Sequence, residues 1–487
     1  MVPPDKTGQE SMLDRLHRWT EWAGGPRVLA VVLLVQIAAL GLFALKPLAA
    51  ISLVIAIVGA VIVLEHPVLG VGLLLAARLL STGATVFVRV GRMGIGPFEP
   101  VLLVCLVALV VHAALHGTTL WRRWPWRTPF IGITAWIALS LLWSENPRDG
   151  LSDLLPLFIV LANTVVILAF IRTWEHFRWM LWFWVGASVL VGVLTILFDA
   201  AGISTTEVTF QAASGGGRET GLGQQPNWFA MHLMFIIHTA FGMALVERRT
   251  WLKIGLVLAG FFVFVMMLKS GSRGGAYATL IGGVLAALAQ PLFRKWFFRF
   301  LIFTVVIFAV GMAFDVGDSS KALNRIVSNM SLRQNYRQLN WLACIQMFSD
   351  TYGLGVGVGG YEDLLPRYNN YVAQSLYTYP HGIVWEVVAH YGAVGLALLG
   401  WLVISIVRMA GKLIEWSRGT EAEVFAWTMP AAMLGYFAWS FVEFTLTEKP
   451  FWEFLTVYTA LYLIVKRHRE QQKPLPSWSH RWRSEGQ

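Results

Sequence analysis

This sequence of 487 residues predicts an all-α, polytopic integral membrane protein, on three observations. Hydrophobic residues fill 56% of the positions and charged residues only 14%, whereas a soluble chain carries about 25% charge. Apolar windows of about 20 residues, long enough to span a bilayer, recur along the chain. The charges sit in short segments between those windows, and most of the 38 lysines and arginines fall on alternate connections. Together these predict roughly 12–14 transmembrane helices and one large, partly helical external loop.

The first 27 residues are polar and charged, and the apolar stretch behind them has no small-residue cleavage signal. They read as a cytoplasmic tail followed by a signal anchor. Spans are expected near 28–45, 48–65, 67–82, 97–115, 128–144, 152–171, 179–199, 227–246, 252–269, 275–291 and 300–315. Only Lys46-Pro47 separates the first two, which is why the count is a range. Residues 28–315 thus form a first bundle of about eleven spans, with an external loop at 200–226. A large external loop covers 316–382, C-terminal transmembrane helices occupy 383–466, and 467–487 is a cytoplasmic tail.

With both termini inside, "WRRWPWR" (121–127), "FRKWFFR" (293–299) and "KRHRE" (466–470) face the cytoplasm, as the positive-inside rule requires. Basic residues facing anionic lipid headgroups account for the net charge of +10 and the pI of 9.7. No nucleic-acid partner is implied. Cys105 falls in a span and Cys344 in the long loop, so no structural disulfide is expected. No zinc-ligand spacing occurs, and neither a metal nor a cofactor is expected.

The long loop carries its own signals. "SLRQNYRQLNWLACIQMFSD" (331–350) reads as an amphipathic helix, with Leu332, Tyr336, Leu339, Leu342 and Met347 approximating one apolar face. "GLGVGVGGY" (353–361) interrupts it, and 362–377 is a second, proline-interrupted helical candidate. Gly355, Gly357 and Gly360 match G-x-G-x-x-G, but that signature means a dinucleotide site only between a strand and a helix. Glycines that let backbone approach backbone, or a substrate, are the better account.

Four outward arginines are candidates for binding an anion. Arg273 lies in "KSGSRGGAY" at a glycine-flanked turn between spans, and Arg218 follows three glycines in the shorter loop. A guanidinium fork suits phosphate oxygens; the alternative is an arginine snorkelling to a lipid headgroup. Arg333 and Arg337 are i,i+4 neighbours on one helical face of the long loop.

"YTYPHGIVWEVVAHYGAVGLALLG" (377–400) supplies the remaining candidates. Pro380 disfavours helix at Tyr379, so a helix is expected from His381 inward. His381 then stands at the outer surface, where a neutral imidazole accepts a proton from a hydroxyl. Glu386 and His390 lie one turn apart further in, as functional residues or as a bracing hydrogen-bonded pair.

These residues resemble the bacterial O-antigen ligases and the related O-antigen and exopolysaccharide polymerases. That family carries H-[NSQ]-x9-G-x-x-G at the start of the span after its large periplasmic loop. Here His381, Gly382, nine residues and Gly392-Ala393-Val394-Gly395 follow the same spacing, with Gly382 in place of Asn, Ser or Gln. "SGSRGG" (270–275), "GLGQQPNWFA" (221–230), "LSLLWSENPRDGL" (139–151) and "RQLNWLACIQMFSDTYGLGVGVGGY" (337–361) are similar to further family segments in the same order.

The resemblance implies a GT-C-like, metal-independent glycosyltransferase of the bacterial inner membrane with its active site facing the periplasm. Such a protein takes a glycan from undecaprenyl diphosphate and passes it to an acceptor hydroxyl. The acceptor is lipid A–core for a ligase and a second lipid-linked glycan for a polymerase of O-antigen or exopolysaccharide. It further implies Arg218, Arg273 and Arg337 as diphosphate binders and His381 as the residue that orients or deprotonates the acceptor. Arg333, Glu386 and His390 are secondary candidates. A polysaccharide or lipid transporter is the remaining reading. Candidate residues gathered at one membrane face, rather than at mid-bilayer between inverted repeats, disfavour it.

Overall fold

The computed structural model describes residues 59–80, 88–90, 93–117, 123–201, 226–313, 331–369, 379–443 and 446–476. The chain divides into two compact units, Met1–His66 and Pro67–Gln487. In the first, residues 59–65 are helical.

The second unit is built from helices. It opens with α1 (Pro67–Leu80), a small antiparallel hairpin of β1 (Val88–Val90) and β2 (Met93–Ile95), then α2 (Phe98–His116). Arg89 pairs with Gly94 in that hairpin. There follow α3 (Arg127–Ser140), α4 (Pro147–Phe170), α5 (Trp174–Ala200), α6 (Pro226–Val246), α7 (Thr250–Lys269), α8 (Arg273–Ala289) and α9 (Pro291–Ala313). The last elements are α10 (Ser331–Asp350), α11 (Tyr361–Tyr368), α12 (Ile383–Ser417), α13 (Ala422–Ser440) and α14 (Lys449–Glu470).

Each span expected from residue 67 onward falls on one of these helices. The one at 28–45 lies outside the described residues, and the one at 48–65 is described only from 59. Among the described residues, six helices (α2, α4, α5, α6, α7 and α12) are long and apolar enough to cross a membrane, and α1 and α8 are shorter apolar helices. This is an all-α, polytopic membrane protein.

Two helices form the interior. The apolar window of α6 is buried throughout, and Pro450–Val465 of α14 are all buried. Because other helices surround α14, its polar groups meet protein partners rather than lipid. Trp126 Nε1 donates to Thr459 Oγ1 at 2.7 Å, Thr164 and Thr456 hydroxyls meet at 2.9 Å, and Arg78 Nε donates to Glu453 Oε1 at 2.6 Å. The Arg78 guanidinium also lies 3.1 Å from the centre of the Phe98 ring.

Local sequence sets the helix ends. Asn146 caps α4 by accepting from Asp149 N at 3.2 Å, with Pro147 at the first helical position. Ser272 caps α8 by accepting from Gly275 N at 3.3 Å. At the end of the bundle away from α10, Arg178–Glu247 and Arg248–Glu421 ion pairs at 3.1 and 3.2 Å tie the helix termini together.

α12 is the longest helix and it is kinked at Gly392, where φ is 62° and ψ is −153°. A side chain at Gly392 would run into the backbone of Gly353 and Leu354. The kink frees backbone groups that the glycine segment then takes up. Val356 N donates to Ala389 O at 2.8 Å, Gly357 N to His390 O at 2.9 Å, and Ala393 N to Gly353 O at 2.8 Å. The other side of the glycine segment rests on 140–150. Trp143 Nε1 donates to Gly355 O, Ser144 Oγ to Val358 O, and Val358 N to Ser140 Oγ. Three segments far apart in sequence thus form one joint, and the glycines serve backbone contact, not a nucleotide.

Candidate active site

The C-terminal end of α13 and the turn after it, residues 439–443, are where the elements carrying three predicted site residues, Arg273, Arg337 and His381, come together. Four elements touch it. α8 arrives first: Gly274 is packed on the Trp439 indole, with no room for a side chain between them. This places Arg273, the first residue of α8, beside the end of α13. α10 contributes Arg337, whose Nη2 donates to Glu443 Oε2. α6 contributes Asn227 from its first turn, donating to Glu443 Oε1 at 2.6 Å. The fourth element is the 379–382 turn leading into α12, where Gly382 lies against the Phe441 carbonyl.

His381 is 1% exposed and has φ of 54°, a left-handed conformation uncommon for a residue with a side chain. Strain of this kind persists only when surrounding contacts impose it. α10 imposes it here. Asn340 Nδ2 donates to Tyr379 O at 3.4 Å, and Trp341 Nε1 donates to His381 O at 3.3 Å. Asn369 Nδ2 steadies Asn340 by donating to its Oδ1 at 3.1 Å. Trp341 stacks on Trp385 at 5.2 Å between centroids, and the Tyr379 ring lies 3.9 Å from the His381 ring. Burial, and then the Arg337 cation, push the His381 imidazole down to about 3. It is neutral at physiological pH.

Arg337 is partly exposed, at 32% for the side chain, and faces a Glu443 that is 7% exposed. Arg333 lies in the same helix, with its side chain outside the described residues, and Arg218 lies outside them altogether. Glu386 and His390 do not pair. Glu386 Oε2 instead accepts from Leu446 N at 2.5 Å, bracing α12 against the chain leaving α13. His390 lies beside Tyr361 at 5.5 Å between ring centroids, under the glycine segment.

Glu443 is the residue that sequence reasoning missed. Its signal was present, since a carboxylate near the end of an apolar span is a functional candidate by default. Nothing local in "SFVEFTLTE" marks its partners, which come from α6 and α10.

The fold and this polar cluster define a multi-pass membrane protein with basic and imidazole groups gathered at one end of its helices. Residues 254–400 match the family model described as O-antigen ligase. The match runs from within α7 to within α12, taking in Arg273, Arg337 and His381, and over this stretch the chain is similar to the O-antigen ligase family. A search of curated proteins finds no match to the chain. That similarity supports a membrane glycosyltransferase of the ligase or polymerase type.

Proposed function

We propose that this protein transfers a glycan from undecaprenyl diphosphate to an acceptor hydroxyl at the periplasmic face of the bacterial inner membrane. Lipid A–core is the acceptor we favour, making it an O-antigen ligase. A polymerase extending a lipid-linked glycan shares the same donor chemistry. The observation that carries the reading is the convergence of Arg273, Arg337 and His381 on the end of α13.

In this reading Arg273 and Arg337, joined by Arg218, hold the donor diphosphate and stabilise the charge that develops as it leaves. His381 takes the proton of the acceptor hydroxyl. The acceptor oxygen forms a bond to the anomeric carbon while the bond to the diphosphate oxygen breaks, its electron pair leaving with undecaprenyl diphosphate. A diphosphate at Arg337 offsets the cation that depresses His381, so the imidazole is most basic when the donor is bound. A single displacement of this kind inverts the anomeric centre.

The test is reconstitution. Purified protein is incubated with an undecaprenyl-diphosphate glycan and either lipid A–core or a second lipid-linked glycan, without added metal. Product in one mixture names the acceptor class. Product in neither, from verified substrates, overturns the proposal.

A further inference from the structure

A pocket that binds the donor's diphosphate faces a difficulty of its own making. The leaving group is undecaprenyl diphosphate, which carries the same anion and would stay on the same arginines. We propose that Glu443 is a built-in competitor: its carboxylate holds the anion position on Arg337 when the pocket is empty, yields it to the donor, and retakes it to expel the product. The proposal rests on Arg337 belonging to the donor pocket, as argued above.

The geometry supports a carboxylate that can hold and release. Glu443 is buried, and among the described residues it accepts from Arg337 on Oε2 and from Asn227 on Oε1. Asn227 belongs to α6 and keeps the carboxylate anchored on one oxygen when the other lets go. Arg337 belongs to α10, which is not one of the apolar helices, and its side chain is partly exposed. A diphosphate on Arg337 lies next to the Glu443 charge and is opposed by it. Like charges in a partly buried site are screened poorly, so the opposition is felt. The competitor also links donor binding to the loop, because the Arg337–Glu443 pair ties α10 to the bundle and α10 holds the His381 turn. Glu443 is thus a positioning residue, acting through Arg337.

The experiment measures binding and turnover of the full chain in nanodiscs, for wild type, Glu443→Gln and Glu443→Asp. Glutamine keeps the shape and the Asn227 contact while removing the charge. Aspartate keeps the charge and shortens its reach. Binding is titrated with inorganic pyrophosphate, and separately with nanodiscs containing or lacking undecaprenyl diphosphate, so that a free anion and a lipid headgroup are told apart. The expected result is tighter binding to Glu443→Gln by on the order of threefold to tenfold, with a smaller gain for Glu443→Asp. In turnover, Glu443→Gln lowers KM for the donor and lowers kcat, with stronger inhibition by undecaprenyl diphosphate. A residue that only supports the fold would not lower KM.

Weaker or unchanged binding in both folded variants overturns the competitor role and leaves the donor pocket standing. Wild type that binds neither pyrophosphate nor undecaprenyl diphosphate overturns the donor pocket, and the competitor with it. Should Glu443→Gln fail to fold, unchanged or weaker binding by Glu443→Asp overturns the proposal.

Discussion

Gly382 is seated directly against the carbonyl oxygen of Phe441, leaving no space for a Cβ at φ of 147°. The resemblance to the ligases and polymerases leads one to expect Asn, Ser or Gln after the histidine. In this chain the neighbouring helix occupies that space. Gly382→Ser is therefore expected to destabilise by about 2–4 kcal/mol, combining an unfavourable backbone region with a steric clash. Thermal unfolding of the purified variant measures it; a melting temperature equal to wild type would mean that the turn can shift away from Phe441.

His381→Ala and Arg273→Ala are expected to lose glycan transfer while remaining folded. Loss of a general base costs about 10²–10⁴ in rate, and removing one electrostatic donor about 10²–10³. The reconstituted assay reads both. Near-normal turnover in the two variants would remove these residues from the site.

His381 also sets a pH dependence. Its folded value of about 3 lies below its ordinary 6.5, so the unfolded chain takes up the proton first. Its contribution is complete above pH 6.5 and falls as pH drops from there towards 3, by roughly 2 kcal/mol between pH 6.5 and 5. Wild type should therefore lose more stability than His381→Gln over that interval. Equal losses would show that the imidazole is not buried as a neutral group.

Arg78 and Glu453 form an ion pair with side chains 6% and 1% exposed. Arg78→Leu leaves a buried carboxylate without its cation and is expected to cost about 3–5 kcal/mol. The double variant Arg78→Leu with Glu453→Leu should recover much of that loss. Denaturation in detergent distinguishes the cases, and an Arg78→Leu protein as stable as wild type would contradict the pairing.

The joint at Gly392 gives a local prediction. Gly392→Ala places a methyl group into the backbone of the glycine segment and should undock it from α12. Limited proteolysis should then cut near 353–357 faster than in wild type, while the distant Arg178–Glu247 end stays protected. No change in cutting would show that the segment is held without the kink.

Much of this was legible along the chain. The helices from residue 67 onward and the helix at 331–350 follow from composition and periodicity, because a bilayer demands long apolar helices. Arg273, Arg337 and His381 are candidates through the motifs that resemble the ligase and polymerase family. Contact partners were not legible. Glu386 and His390 have helical spacing suited to a pair, yet Glu386 accepts from Leu446 N, a backbone group brought to it by the chain after α13. Glu443 gained its importance from Asn227 and Arg337, 216 and 106 residues away in sequence.

The sequence by itself determined the class, the helices and the residue types available for chemistry, since these depend on local hydrophobicity and on intrinsic side-chain properties. Only the tertiary structure decided that α6, α8, α10 and α12 meet at the end of α13. It alone also decided that His381 is held neutral in a strained turn, and that a glycine must follow it. Those outcomes depend on which backbone lies against which, and no pattern within a single helix encodes its neighbour.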